Sequence, residues 1–307
     1  MPYFRAFLMA ALSSLILAKL SELVAPRLGL VDRSNERKIH QGARPIGGLA
    51  LLGGLLIGAG PLLPWSREVS SVLLGVIVIA GLGLLDDLRG LGAKSKLLVQ
   101  ALASLIPVLW GGLWVRSLGL GGAGLELGPW GIPLTIIWVV GITNALNFID
   151  GLDGLAAGSS LIAVGFIALF AWKSGGSIAL ALAVGLAGAV AGFLRYNFYP
   201  ARLFLGNEGA YILGFLLAVL ALEPFGHRFG PIERLPVLPP LILLGLPIAD
   251  TLWAILRRLR ARRSVFAPDR GHIHHRLLAR WGYGKALLIL YLVSLALGVL
   301  AVAGWWR

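Results

Sequence analysis

Charge-free apolar stretches of about 20 residues, the length that crosses a bilayer, recur along this chain with only short charged or Gly/Pro-rich joints between them. Ten are read, at 3–24, 46–64, 69–85, 97–115, 131–149, 154–172, 176–194, 209–223, 235–256 and 286–304. With 58% apolar and 13% charged residues, a water-soluble domain of this size lacks the polar groups to cover its own surface. No soluble domain fits between the stretches, so the expectation is an all-α integral membrane protein, one polytopic domain over 1–307. The first stretch is long, has no small-residue cleavage site and runs into a basic loop, and is read as a span rather than a signal peptide.

The net charge of +13 would suggest a nucleic-acid partner in a soluble protein, but in a membrane protein it reports orientation. Ten spans send alternate joints to opposite faces. The joints at 25–45, 86–96, 150–153, 195–208 and 257–285 carry nineteen of the 27 Lys and Arg residues. The positive-inside bias makes these joints cytoplasmic and both termini extracytoplasmic, with no nucleic acid expected. Between spans four and five, Leu118, Leu120, Leu125 and Leu127 alternate around Gly121, Gly122 and Gly124, which predicts a small extracytoplasmic β-hairpin. The absence of cysteine excludes disulfides, thiolate catalysis and Cys-based metal sites.

Most acids follow the cations. Asp86, Asp87, Asp150, Asp153, Glu208, Asp250 and Asp269 all fall in the cytoplasmic joints or on span ends facing them. A carboxylate beside a span is costly and marks a functional site with a partner. Asp86 and Asp87 end the third span, where the helix dipole is negative and the two repel each other, so they call for a cation; the plainer reading is a solvated helix end next to Arg89. The run Asn144-Ala-Leu-Asn147-Phe-Ile-Asp150-Gly-Leu-Asp153-Gly-Leu presents amide and carboxylate oxygens where glycines let the backbone leave the helix, a donor set suited to Mg²⁺. A polar turn between two helices would use similar residues. Asn207, in Phe204-Leu-Gly-Asn207-Glu208-Gly, suits ligation or capping of span eight.

The last basic joint holds Arg257, Arg258, Arg260, Arg262 and Arg263, then Pro268-Asp269-Arg270-Gly-His272-Ile-His274-His275. Without cysteine or a further nearby histidine the three histidines do not complete a zinc site. A polybasic segment after a span can anchor to anionic lipid, but Arg and His together better suit a diphosphate ligand. Lys38, His40 and Arg44 in the first joint read the same way, whereas Gly53 and Gly54 read as helix-packing positions. A transporter would place polar residues near the midplane and on both faces, while these collect on one.

Taken together, the joints resemble the polyprenyl-phosphate N-acetylhexosamine-1-phosphate transferases over almost the whole chain. Asp86-Asp87 with Lys96 and Gln100 is similar to that family's paired-aspartate motif, and Asn144, Asn147, Asp150 and Asp153 to its Asn-rich Asp-Gly-Leu-Asp-Gly motif. His272, His274 and His275 are similar to its histidine motif, Arg258 to an arginine at the substrate phosphates, and Lys38 with His40 to its first cytoplasmic motif. The Arg37-Lys-Ile-His-Gln and Pro268-Asp-Arg-Gly-His-Ile-His-His runs resemble the WecA/TagO branch more than the phospho-N-acetylmuramoyl-pentapeptide (MraY) branch.

That resemblance implies a multi-pass inner-membrane enzyme with a cytoplasmic active site, a Mg²⁺ cofactor (or Mn²⁺), and self-association as a homodimer left open. The implied reaction moves N-acetylglucosamine 1-phosphate from UDP-N-acetylglucosamine to undecaprenyl phosphate, releases UMP and serves cell-envelope glycan synthesis. Asp86, Asp87, Asp150 and Asp153 are the implied catalytic residues, Asn147 and Asn207 the metal ligands, and Lys38, His40, Lys96, Asn144, Arg258, His272, His274 and His275 the substrate contacts. Position 207 departs from the family's Asp: Asn keeps an amide oxygen but removes one negative charge. The expectation drawn from it is an inactivated or weakened form, by an introduced substitution or by nature.

Overall fold

The computed structural model describes residues 1–32, 44–120, 123–222, 232, 234–262, 264 and 271–305. The first part comprises α1 (Pro2–Val24), β1 (Val31–Asp32), β2 (Arg44–Pro45), α2 (Leu49–Ala59), α3 (Arg67–Arg89), α4 (Ala93–Leu105), β3 (Ser117–Leu120) and β4 (Ala123–Glu126). The second comprises α5 (Gly131–Ile149), α6 (Leu155–Ser174), α7 (Ser177–Asn197), α8 (Gly206–Leu222), β5 (Leu235–Pro236), α9 (Leu238–Leu243), α10 (Gly245–Arg260), α11 (Ile273–Trp281) and α12 (Tyr283–Trp305).

Among the described residues seven helical segments are long and apolar enough to cross a membrane, against the ten spans expected. The three that fall short do so for separate reasons. α2 and α8 are apolar but short. The stretch predicted at 235–256 is broken at Leu244 between α9 and α10, where Pro247 has no amide to offer the Leu243 carbonyl and its ring crowds that turn. α4 also loses regularity, widening from Ile106 to Trp110 around Pro107.

α8 is the centre of the molecule. Every residue from Glu208 to Leu222 is buried, and α2, α3, α5, α6 and α7 all pack on it. A helix enclosed by protein need not match the lipid thickness, so its 17 residues suffice. α1, α2 and α7 form a second tight group. Ala6, Ala10, Ser14 and Ala18 recur every fourth residue on the buried side of α1; Ala6, Ala10 and Ser14 meet Gly54 and Gly58 of α2, Ala10 meets Gly188 of α7, and Gly192 of α7 sits against the Ala11 backbone. Small residues let these backbones approach closely, as apolar side chains have no hydrophobic advantage over lipid tails.

The chain joints separate to two ends. At one, β3 and β4 pair antiparallel with Leu118 opposite Leu125, as the alternation of leucines predicts. β5 adds a parallel third strand, Leu118 opposite Leu235, which the sequence reading had placed inside a span. The hairpin tip at Gly121 and Gly122 lies outside the described residues. Exposed Trp65, Trp110, Trp130 and Trp172 lie at or beside the helix ends on this side, in keeping with an interfacial aromatic belt. The other end gathers the acids and amides.

A side chain at Gly192 would collide with the Ala11 carbonyl, whereas one at Gly165 would meet nothing within 4 Å. Gly192→Val is expected to lower stability by about 1–3 kcal/mol through overpacking, and Gly165→Ala to leave it unchanged, both read from thermal unfolding in detergent.

Candidate active site

Asp86 and Asp87 emerge from the last turn of α3, which closes on Gly90 in a left-handed conformation at φ 66°. Although adjacent, they serve different partners. Asp86 is buried; its Oδ1 accepts from the Leu91 amide at 2.8 Å, and its Oδ2 from Lys96 Nζ at 3.1 Å and the Tyr211 hydroxyl at 3.2 Å. Asp87 turns toward α8, where Oδ1 accepts the Asn207 amide at 3.0 Å and Oδ2 the Glu208 amide at 3.1 Å. Two of the free amides in the first turn of α8 are therefore capped by a carboxylate from another helix, aligned with the positive end of the α8 dipole.

That cap places Asn207 against Asn147 on the last turn of α5, whose Nδ2 donates to Asn207 Oδ1 at 2.9 Å. One turn earlier Asn144 pairs with Gln100 of α4. It donates to Gln100 Oε1 at 2.6 Å and accepts from Gln100 Nε2 at 3.5 Å. Gln100 is fully enclosed. The two asparagines thus face different neighbours, and only Asn147 reaches position 207.

α5 ends at Asp150, where the backbone leaves helical geometry (φ −75°, ψ 55°). In the following turn Asp153 Oδ2 accepts the Ala201 amide at 2.9 Å, and its carbonyl accepts the Tyr283 hydroxyl at 3.1 Å. Tyr291 donates to the Gly154 carbonyl at 2.6 Å. Asp153 is thereby a strut holding the 150–154 turn between α12 and the segment preceding α8. Gly151 is required here because His274 Nε2 occupies the space a Cβ would take.

The histidine segment docks on this turn. His272 Nδ1 lies 2.7 Å from Asp250 Oδ2 of α10, and Asp250 Oδ1 accepts the Ile273 amide at 2.7 Å. The rings of His272 and His274 stack 5.6 Å apart, and His275 follows 4.3 Å from His274. His274 is 1% exposed and neither ring nitrogen finds a hydrogen-bond partner. Burial, followed by the positive neighbours His275 and His272, pushes its pKa well below the usual 6.5, against the opposing pull of Asp250. Arg258 is buried on the α10 face that carries Asp250 and Ala254, and Arg257 Nη1 donates to the Gly271 carbonyl at 2.8 Å.

The described candidates share one end of the bundle, and side-chain contacts between them include the pairs Asn147–Asn207 and Asp86–Lys96 and the neighbouring histidine rings. Lys38 and His40 lie outside the described residues, as does Asp269. Asp250, Glu208, Tyr211 and the tyrosines of α12 enter the site region although the sequence reading assigned them no role. The signal for Asp250 and Glu208 is their position among the acids of this face, and Gln100 belongs to the paired-aspartate resemblance; Tyr211 carries no signal apart from its partner. Nothing in the geometry at 207 marks an inactivated protein, since Asn207 makes an ordinary amide pair.

Among the described residues no three His, Asp or Glu side chains converge as a metal cluster. The adjacent amides of Asn147 and Asn207 are oxygen donors of the kind a hard divalent cation takes, and such an ion keeps water and substrate phosphates as its other ligands. The site fits Mg²⁺ in donor chemistry rather than as a closed protein cage.

Comparison with known proteins adds independent information. The sequence profile of glycosyl transferase family 4 matches residues 69–224. A probable undecaprenyl-phosphate N-acetylglucosaminyl 1-phosphate transferase of Bacillus subtilis is 37% identical over 303 residues, covering 97% of this chain and 83% of the relative. Decaprenyl-phosphate N-acetylglucosaminephosphotransferase of Mycobacterium tuberculosis is 37% identical over 302 residues, covering 88% and 74%. Undecaprenyl-phosphate alpha-N-acetylglucosaminyl 1-phosphate transferase of Escherichia coli is 31% identical over 288 residues, covering 92% and 77%.

Two outcomes are expected. Asp87→Ala leaves the Asn207 and Glu208 amides without an acceptor and lowers stability by about 1–2 kcal/mol, while Asp87→Asn loses less, both measured by thermal unfolding. His274, whose folded pKa lies below its unfolded value, contributes stability that is complete above pH 6.5 and is lost as the pH falls below it; His274→Phe is expected to flatten that acid limb in a pH series of melting temperatures.

Proposed function

The chain belongs to glycosyl transferase family 4, and from that premise we propose that it transfers N-acetylglucosamine 1-phosphate from UDP-N-acetylglucosamine to undecaprenyl phosphate at the cytoplasmic face, releasing UMP. The observation that carries the reading is the meeting of Asn147 and Asn207 at the N-terminus of α8, next to the 150–154 turn on which the histidine segment docks. The nineteen cations of the joints on this face favour a cytoplasmic position. Relatives named for N-acetylglucosamine 1-phosphate transfer to undecaprenyl or decaprenyl phosphate support the donor and a long prenyl acceptor.

Both substrates are anions, so the reaction first has to bring like charges together. Asn147 and Asn207 would hold Mg²⁺, which when bound supplies Lewis-acid charge to the donor diphosphate. Arg258 and the histidine segment neutralise and orient the remaining phosphate oxygens, as bidentate guanidinium and imidazole donors do. Lys96 is committed to Asp86 at 3.1 Å and acts on the site by holding that carboxylate. An acceptor phosphate oxygen attacks the sugar-side phosphorus in line and UMP leaves.

Of the aspartate pair, Asp87 is assigned as the base for the acceptor phosphate, because Asp86 is buried and ion-paired to Lys96, whereas Asp87 is half-buried and accepts from the backbone amides of Asn207 and Glu208. Direct attack is preferred to a covalent aspartyl intermediate, since the phosphate is already a competent nucleophile. Asp150 and Asp153 shape the turn that carries the histidines.

The test is to incubate the purified protein with UDP-N-acetylglucosamine, undecaprenyl phosphate and Mg²⁺ and to follow UMP and the lipid-linked diphospho-sugar. Both products are expected, with loss on chelation, and Asn207→Asp is expected to raise the metal-dependent rate by orders of magnitude by restoring a charge opposite the ion. Release of UDP, or failure to form lipid product in both the protein and the variant, would refute the assignment.

A further inference from the structure

Asp250 is a buried carboxylate that the proposed chemistry leaves unused. It is 3% exposed, on the side of α10 shared with Ala254 and Arg258. Both of its oxygens go to the histidine segment, Oδ2 to His272 Nδ1 at 2.7 Å and Oδ1 to the Ile273 amide at 2.7 Å. One oxygen would suffice to cap α11. The second is spent on the ring, and a carboxylate at that distance keeps a proton on Nδ1 and fixes how the ring is turned.

The surroundings point the same way. His272 is 5% exposed, with the Phe148 ring at 6.0 Å and the His274 ring stacked at 5.6 Å. Phe148 follows Asn147 directly, and His274 sits on Gly151. A ring held between the end of α5 and the 150–154 turn, with Nδ1 committed to Asp250, has only Nε2 left for a ligand. We infer that Asp250 is the positioning residue of the histidine segment: it holds the Nδ1–H of His272 on its carboxylate and seats the start of α11, so that the doubly protonated ring offers its Nε2–H to the phosphates of a nucleotide-sugar. The identity of that ligand rests on the transferase reading; the lock between Asp250 and His272 does not.

The experiment compares Asp250→Asn, His272→Ala and the double variant in detergent. Asp250→Asn keeps one carbonyl oxygen for the α11 amide but cannot accept from both donors. Nitrogen-15 NMR of labelled histidine is expected to show a hydrogen-bonded Nδ1–H on His272 that is lost in Asp250→Asn. Binding of UDP-N-acetylglucosamine is expected to weaken roughly tenfold to a hundredfold in Asp250→Asn, with the double variant no weaker than His272→Ala alone. An unchanged His272 spectrum in Asp250→Asn, or binding losses that add in the double variant, would overturn the inference. A locked His272 in a protein that binds no UDP-N-acetylglucosamine would instead refute the transferase reading and leave the lock standing.

Discussion

The arrangement of the site depends on one carboxylate crossing between helices. An aspartate at the end of α3 is disfavoured by its own helix dipole, and two in sequence repel. The structure answers the two charges separately. Asp86 receives Lys96 and a tyrosine hydroxyl, while Asp87 is given the N-terminus of α8 through the amides of Asn207 and Glu208. What the sequence alone read as a demand for a cation is met, for Asp87, by a helix dipole. The same contact orients Asn207 toward Asn147, so the stability of the α8 terminus and the geometry of the candidate metal ligands are one property.

Asp250 repeats the device on α11, and Asp153 does so on the Ala201 amide. Backbone that leaves helical geometry at the membrane surface must find partners inside the protein. Carboxylates from neighbouring elements supply them here. This explains why one face concentrates acids in a chain with only 14 Asp and Glu residues. Several of them hold turns and helix ends in place, and the number left for chemistry is smaller than a motif reading suggests. Asp86 and Asp153 stand on the structural side, while Asp87 is a cap to which the proposed mechanism adds the role of base.

α8 joins these features to the fold. Because protein surrounds it from Glu208 onward, its N-terminus opens beneath the joints of α3, α5 and α7 rather than into lipid. Close approach of Gly48 to Gly209 and of Gly83 to Glu208 seats it deeply.

Hydropathy along the chain was enough to establish a helical membrane protein, the approximate limits of most of its helices, the leucine-patterned hairpin and the end of the bundle at which the acids and amides gather. These are local properties, carried by the solvent preference of neighbouring residues. The broken α9–α10 pair, the burial that lets α8 be short, and the third strand at Leu235 were not legible, because each is decided by what packs alongside. Nor were the partners of the polar side chains. That Asn147 rather than Asn144 meets position 207, that Gln100 takes Asn144, and that Asp250 takes His272 all depend on contacts between helices far apart in sequence. Residue type states which bonds a group can make, and only the packed tertiary structure decides which it does make.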